Sequence, residues 1–200
     1  SCIGVDDPSY SASNGNWIVD DTALYNNTGD CTAPTVITQD IEVVLDRSGI
    51  ASIAPEDLDN GSFDNVTNAR GLIFSADVLN FDCSNVGGNT VLLTVTDLAS
   101  NQSSCEATVT VQDNVKPTAI CQNVTVTLSG GSGSITASQV DNGSSDACPF
   151  TISVIPSTFA CANVGNNTVV LTARDASNNA RSAIANVTII DTIKPVVITR

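Results

Sequence analysis

The 200-residue sequence has no histidine and no methionine, and its aromatics are one Trp, two Tyr and five Phe. Without histidine, the commonest general base and the Ser–His and Cys–His nucleophile pairs are missing, so the chain is expected not to be an enzyme. Cations are also scarce: 7 Lys and Arg stand against 21 Asp and Glu, a formal net charge of −14. Nucleic acid and anionic membrane surfaces both demand clustered basic residues, so neither is an expected partner. No apolar run is long enough to span a bilayer, so no membrane insertion is expected. Zinc is disfavoured as well, because there is no Cys-x-x-Cys and no histidine. A stacking platform for sugars is missing from the repeats described next, since Tyr10, Trp17 and Tyr25 all precede them.

What the chain does have is a period. Asp113-Asn114-Val115-Lys116-Pro117 returns as Asp191-Thr192-Ile193-Lys194-Pro195, and its ends return in Asp30-Cys31-Thr32-Ala33-Pro34. The intervals are 83 residues from Asp30 to Asp113 and 78 from Asp113 to Asp191. A self-similar period means an array of like modules. The expected organisation is an N-terminal cap or remnant of a preceding module over 1–29, one module over 30–112 and a second over 113–190. Residues 191–200 then begin a following module or form a donor strand.

Within the modules, Asp40–Leu45 aligns with Asn123–Leu128, and the second of these alternates apolar and polar residues, as a half-buried strand does. Ile53–Asp59 aligns with Ile135–Asp141, and each ends in Asp-Asn-Gly-Ser, where Asn-Gly marks a tight turn. Asp64 and Cys83 are separated by 18 residues but Asp146 and Cys161 by only 14, a difference that belongs in a loop or an edge strand. Further strands are expected at Asn89–Val95 and Asn167–Ala173. Each runs into an Asp, Asp97 or Asp175, followed by a polar turn carrying Asn101 or Asn179. The last strands are expected at Ala107–Val111 and Ala185–Ile189. Short β-branched strands with turns between them and no helical period predict an all-β chain. Its architecture is read as tandem immunoglobulin-like β-sandwich modules with Greek-key connections.

The strings DNVKPTAICQNVTVTL, VDNGSSDAC, FACANVGNNTVVLTARDASNN and SSCEATVTVQDNVKP resemble the hyalin-repeat (HYR-like) immunoglobulin-like modules found in tandem in large secreted Bacteroidetes surface adhesins. The resemblance covers roughly residues 30–200. It implies an extracellular, cell-surface array that serves adhesion or builds a filament. Its expected partners are other copies or neighbouring modules of the same surface protein, and a surface polysaccharide or a host or substratum ligand. Seven cysteines in so acidic a chain agree with an oxidising setting. The resemblance also implies a disulfide between Cys148 and Cys161. A second family pair, from the start of the first strand to the start of the last, is broken here: Cys121 faces Ala183, and Cys105 faces Thr38.

One constellation carries chemistry. In an immunoglobulin-like sandwich, the loop after the second strand and the loop before the last strand lie at the end where the chain enters. The first module would gather Asp30, Asp59, Asp64 and Asp97 there, and the second Asp113, Asp141, Asp146 and Asp175. Ca²⁺, which takes 6–8 oxygen ligands, would relieve their mutual repulsion. The alternative is plain turn chemistry, since Asp and Asn favour turns by bonding their own backbone. Two functional readings stay open: a structural and adhesive spacer, and a carbohydrate- or protein-binding module that uses its loops. Pro195–Arg200 matches Pro117–Gln122, so the chain either continues into another module or offers this strand to a neighbour's sheet edge.

Overall fold

The structure is a computed structural model that describes Asp30 and residues 32–194. The expected cap over 1–29 and the opening strand over Pro195–Arg200 lie outside the described residues. Contacts divide the chain into two units. One comprises the residues up to Val44 together with Ala51–Gln112, and the other comprises Leu45–Ile50 together with Asp113 onward.

The first repeat carries β1 (Ile41–Val44), β2 (Ile50–Ser52), β3 (Ile73–Ala76), β4 (Asn80–Asp82), β5 (Gly87–Thr96) and β6 (Gln102–Gln112). One sheet has the order β1-β6-β5-β3, and β2 pairs with β4 in the other. The first strand lies parallel to the last, with Ile41 beside Val109 and Val44 beside Gln112. Along β5, Val91, Leu93 and Val95 are fully buried while Leu92 points outward, the two-residue alternation of a strand with one face on a core. Val109 and Val111 of β6 and Phe81 of β4 close on the same core. Each such side chain contributes about 1.5–3 kcal/mol through its removal from water.

The second repeat reproduces this with β7 (Val124–Thr127), β8 (Ser132–Ser134), β9 (Phe150–Ile155), β10 (Thr158–Ala160), β11 (Gly165–Asp175) and β12 (Ala180–Ile190). Its sheets are β7-β12-β11-β9 and β8-β10, again with the first strand parallel to the last. The core is built from Leu128, Ile135, Val140, Phe159, Val169, Leu171, Ala185, Val187 and Ile189. The chain is therefore all-β, two immunoglobulin-like sandwiches of one topology.

The structure departs from expectation in three places. Residues Pro55–Leu58 and Ala137–Val140 are single helical turns, where the sequence showed no helical period. Each drops one apolar side chain, Leu58 or Val140, into a core at 0% exposure. The last strands begin five residues early, at Gln102 and Ala180, because the hairpin ladder with the preceding strand continues through polar pairs such as Thr94–Ser104 and Thr172–Ser182.

The third departure concerns the cysteines. Cys148 is disulfide-bonded and Cys161 is free and exposed, so the expected Cys148–Cys161 bridge is not formed. The two residues sit at opposite ends of the second sandwich. Cys148 follows Ser145, whose backbone pairs with Thr118 where the chain enters. The Cys161 thiol lies 3.6 Å from the Gly131 carbonyl, in the turn beyond Leu128, whose N–H bonds Ile190 at the exit. Between the two cysteines, β9 carries the chain across the length of the sheet. Cys83 is disulfide-bonded, whereas Cys105 and Cys121 are free.

Candidate functional site: carboxylates at the entering end

The hairpin turn between β5 and β6 is shaped by Asp97, which is 2% exposed. Its Oδ1 accepts the N–H groups of Ala99 and Asn101, both at 2.8 Å, and its Oδ2 accepts the Asn101 side-chain amide at 2.8 Å. The same amide donates to the carbonyls of Asp30 at 2.9 Å and Thr32 at 3.3 Å. Asn101 thus ties the incoming chain to the turn before the last strand. Asp30 forms an Asx turn of its own, with Oδ1 accepting the Thr32 N–H at 3.0 Å.

Asp64 reaches the same place from the loop after the second strand, which is anchored by the Thr35–Phe63 backbone pair. Its Oδ2 accepts the N–H groups of Val66 and Thr67 at 3.0 and 2.7 Å. Burial pushes its pKa up, but the backbone bonds from Thr67, Val66 and Asn65 prevail and hold it below the ordinary value. Asp30, Asp64 and Asp97 each place a carboxylate oxygen within 4.8 Å of the others. Asp30 Oδ2 and Asp64 Oδ1 are buried and take no hydrogen bond. Buried acceptors are normally paired, and two orphaned carboxylate oxygens beside a third carboxylate are costly unless a cation joins them.

The second sandwich repeats the asparagine tie but not the close meeting of carboxylates, which among the described residues is made by Asp30, Asp64 and Asp97 alone. Asn179 donates its side-chain amide to the Asp113 carbonyl at 2.9 Å, and its N–H to Asp175 Oδ1 at 2.8 Å. Asp113 Oδ1 accepts the Val115 N–H, and Asp146 Oδ1 accepts that of Ala147. Asp146 Oδ2 and Asp175 Oδ2 are buried without a partner, and Asp175 as a whole is only 6% exposed.

Of the eight carboxylates expected at the two ends, Asp30, Asp64 and Asp97 are brought within reach of one ion, Asp113, Asp146 and Asp175 are not drawn as close, and Asp59 and Asp141 are engaged elsewhere. Asp59 accepts the N–H groups of Gly61 and Ser62, and Asp141 those of Gly143 and Ser144. These are turn bonds in the Asp-Asn-Gly-Ser segments, where Gly61 and Gly143 take φ of 91° and 95°. A hydrogen bond from the Ser144 side chain, aided by backbone bonds, holds the Asp141 pKa below its ordinary value. The paired role of Asn101 and Asn179 was not drawn from the sequence. Its signal was there, an Asn four residues after the buried Asp in both repeats.

The donor set consists of carboxylates and backbone carbonyls, with no nitrogen or sulfur ligand. It fits a hard divalent cation such as Ca²⁺.

No family model matches the chain, and no curated protein does. Solved structures do. The human mucin-like protocadherin EC1-2 is 12% identical over 80% of this chain and 98% of that one, at a TM-score of 0.40. Mouse cadherin-23 EC22-24 is 12% identical over 80% and 65%, at 0.39, and Drosophila N-cadherin EC1-4 is 13% identical over 81% and 50%, at 0.41. The chain is similar to these tandem cadherin domains, while its fold rests on its own strand pairing.

Proposed function

We propose that the chain is a non-catalytic, extracellular segment of a bacterial surface adhesin or filament. Its sandwiches act as spacers whose entering ends are fixed by Ca²⁺. The observation that carries the calcium reading is the set of buried, unpartnered carboxylate oxygens on Asp30, Asp64, Asp146 and Asp175. Asp30, Asp64 and Asp97 would hold one ion as they stand, and Asp113, Asp146 and Asp175 would close on another as it binds. Bound Ca²⁺ would neutralise the carboxylates and join the incoming chain to the loops already linked by Asn101 and Asn179. The adhesin part is supported by the hyalin-repeat resemblance and by two sandwiches of one topology in series along the chain. Partners on this reading are neighbouring modules and copies of the same protein.

The test is a melt of the full chain stripped with EDTA and then supplied with CaCl₂. A ligand at 100 times its Kd stabilises by about 2.7 kcal/mol. For a domain of this size that raises the unfolding midpoint by roughly 10–20 °C. Calorimetry is expected to count two ions per chain, and Asp175→Asn to remove one. An unchanged midpoint ends the calcium reading. Electron microscopy of native material is expected to show modules in line, and isolated compact particles would end the spacer reading.

A further inference from the structure

The sheet β7-β12-β11-β9 of the second sandwich turns one face to its core and the other to solvent. A row of aliphatic side chains crosses that outer face. Val170 of β11 pairs with Ile155 of β9 on one side and with Ile184 of β12 on the other. Val170 is 39% exposed, Ile155 72% and Ile184 70%. In the first sandwich the matching row is Asp77, Leu92 and Glu106. There Leu92 pairs with Glu106, and its N–H donates to Asp77 Oδ1 at 2.9 Å. The two flanking positions are thus carboxylates in one repeat and isoleucines in the other. The fold accepts either on a solvent face, but only the isoleucines gain by leaving water.

The polar groups around the row are already paired with each other. On one side the Thr172 and Ser182 hydroxyls share a hydrogen bond of 2.8 Å, and on the other the Thr188 hydroxyl donates to Asn166 Oδ1 at 3.0 Å. Groups satisfied in this way lose little when water is removed. The four strands hold one carboxylate, Asp175, and it is buried, whereas β1 and β6 of the first sheet expose Glu42 and Glu106. This neutrality identifies the occupant. Two chains of net charge −14 repel, so a second copy approaches closely only where carboxylates are missing. A basic partner would choose the acidic faces instead. The row is also self-complementary: a twofold axis along β11 through Val170 sets Ile155 of one copy over Ile184 of the other. Four strands about 4.8 Å apart and the length of β11 make a face of roughly 20 by 30 Å. Two such faces reach the lower end of specific interfaces, about 1,200 Å² in total.

We propose that two copies of the chain dock here, sheet on sheet, through Ile155, Val170 and Ile184. The docking rests on the proposed function only for the expectation that copies meet, and it needs no calcium. Sedimentation equilibrium of the full chain tests it from micromolar to millimolar concentration, with EDTA and enough NaCl to screen the net charge. A reversible monomer–dimer equilibrium is expected. Ile155→Asp and Ile184→Glu place the first sandwich's side chains at these positions, so both are expected to melt with the parent. Each is expected to weaken the dimer about tenfold or more, because it brings an unpaired carboxylate from each copy into the contact. Val170→Thr, which keeps the shape, is expected to weaken it in the same direction. Ile73→Asp adds the same charge at an exposed position of the first sheet and is expected to leave the dimer unchanged. The proposal is overturned by a monomer at every concentration, by variants that dimerise like the parent, by equal loss in Ile73→Asp, or by a dimer that forms only when CaCl₂ replaces EDTA. A monomer would leave the calcium-dependent melt and the in-line modules standing.

Discussion

Thr38→Cys is expected to create a disulfide with Cys105 and to stabilise the first sandwich strongly. The Thr38 hydroxyl lies 3.6 Å from the Cys105 sulfur, and the two residues are 67 positions apart. Replacing the hydroxyl by a thiol puts two sulfurs at nearly the same places, so a small rotation about each side chain closes the bond. Cross-linking a loop of that length removes enough entropy from the unfolded chain to stabilise by about 4 kcal/mol, and strain commonly trims such gains to 2–4 kcal/mol. At 4–8 °C per kcal/mol for a domain of this size, the midpoint rises by roughly 8–32 °C. Under oxidising conditions a thiol assay reports whether Cys105 disappears, and melts with and without reductant isolate the cross-link. The second sandwich offers a replicate, because Cys121 donates to the Ile184 carbonyl at 3.0 Å just as Thr38 donates to Glu106 at 2.9 Å. Ala183→Cys is expected to capture Cys121. A free Cys105 thiol in oxidised Thr38→Cys, or a closed bond with no rise in midpoint, would refute the register on which the reasoning rests.

Acid is expected to destabilise the chain in EDTA mainly below about pH 4. Asp64 and Asp141 have folded pKa values below their ordinary range, so their contribution is present above the unfolded aspartate value of about 3.9. It is lost as pH falls through the folded values. Asp141→Asn is expected to flatten the acid limb of a midpoint-against-pH curve, and an unchanged limb would count against the Ser144 bond. Gly133→Ala is expected to cost about 1–3 kcal/mol by overpacking. A Cβ there would stand 2.8 Å from Val126 Cγ1 and 3.2 Å from Leu128 Cδ2, whereas at Gly88 its nearest neighbour would be an ordinary 3.7 Å away. Equal denaturant midpoints for Gly133→Ala and Gly88→Ala would contradict that. Iodoacetamide is expected to modify Cys161 in the native protein and to reach Cys148 only after reduction, which peptide mapping reads directly.

The sandwich was legible in the sequence because its long strands alternate. Val91, Leu93 and Val95 announce themselves, as do Val169, Leu171 and Ala173. The single turns at Pro55–Leu58 and Ala137–Val140 were not, since four residues cannot display a helical period. The polar starts of β6 and β12 hid for a similar reason: Ser104 and Ser182 hold their places by pairing across the hairpin, not by burial. At the site, topology foresaw the meeting of Asp30, Asp64 and Asp97. It could not separate Asp64, which reaches the cluster, from Asp59 five residues earlier, because both are Asp residues in loop sequences rich in Asn and Ser. The disulfide failed for a different cause. A resemblance supplied the pair, but six residues of β9 stand between its members and carry them to opposite ends of the sheet.

The parallel pairing of first and last strands has a mechanical consequence. In each sandwich the strand nearest the entrance and the strand nearest the exit run side by side in the same direction, Ile41–Val44 against Val109–Gln112 and Val124–Thr127 against Val187–Ile190. Pulling on the two ends of a module therefore drags these neighbours past each other along their length. Their hydrogen bonds then bear the load together instead of parting one at a time from a free end. A chain of such modules resists tension at the very seam where it begins and ends.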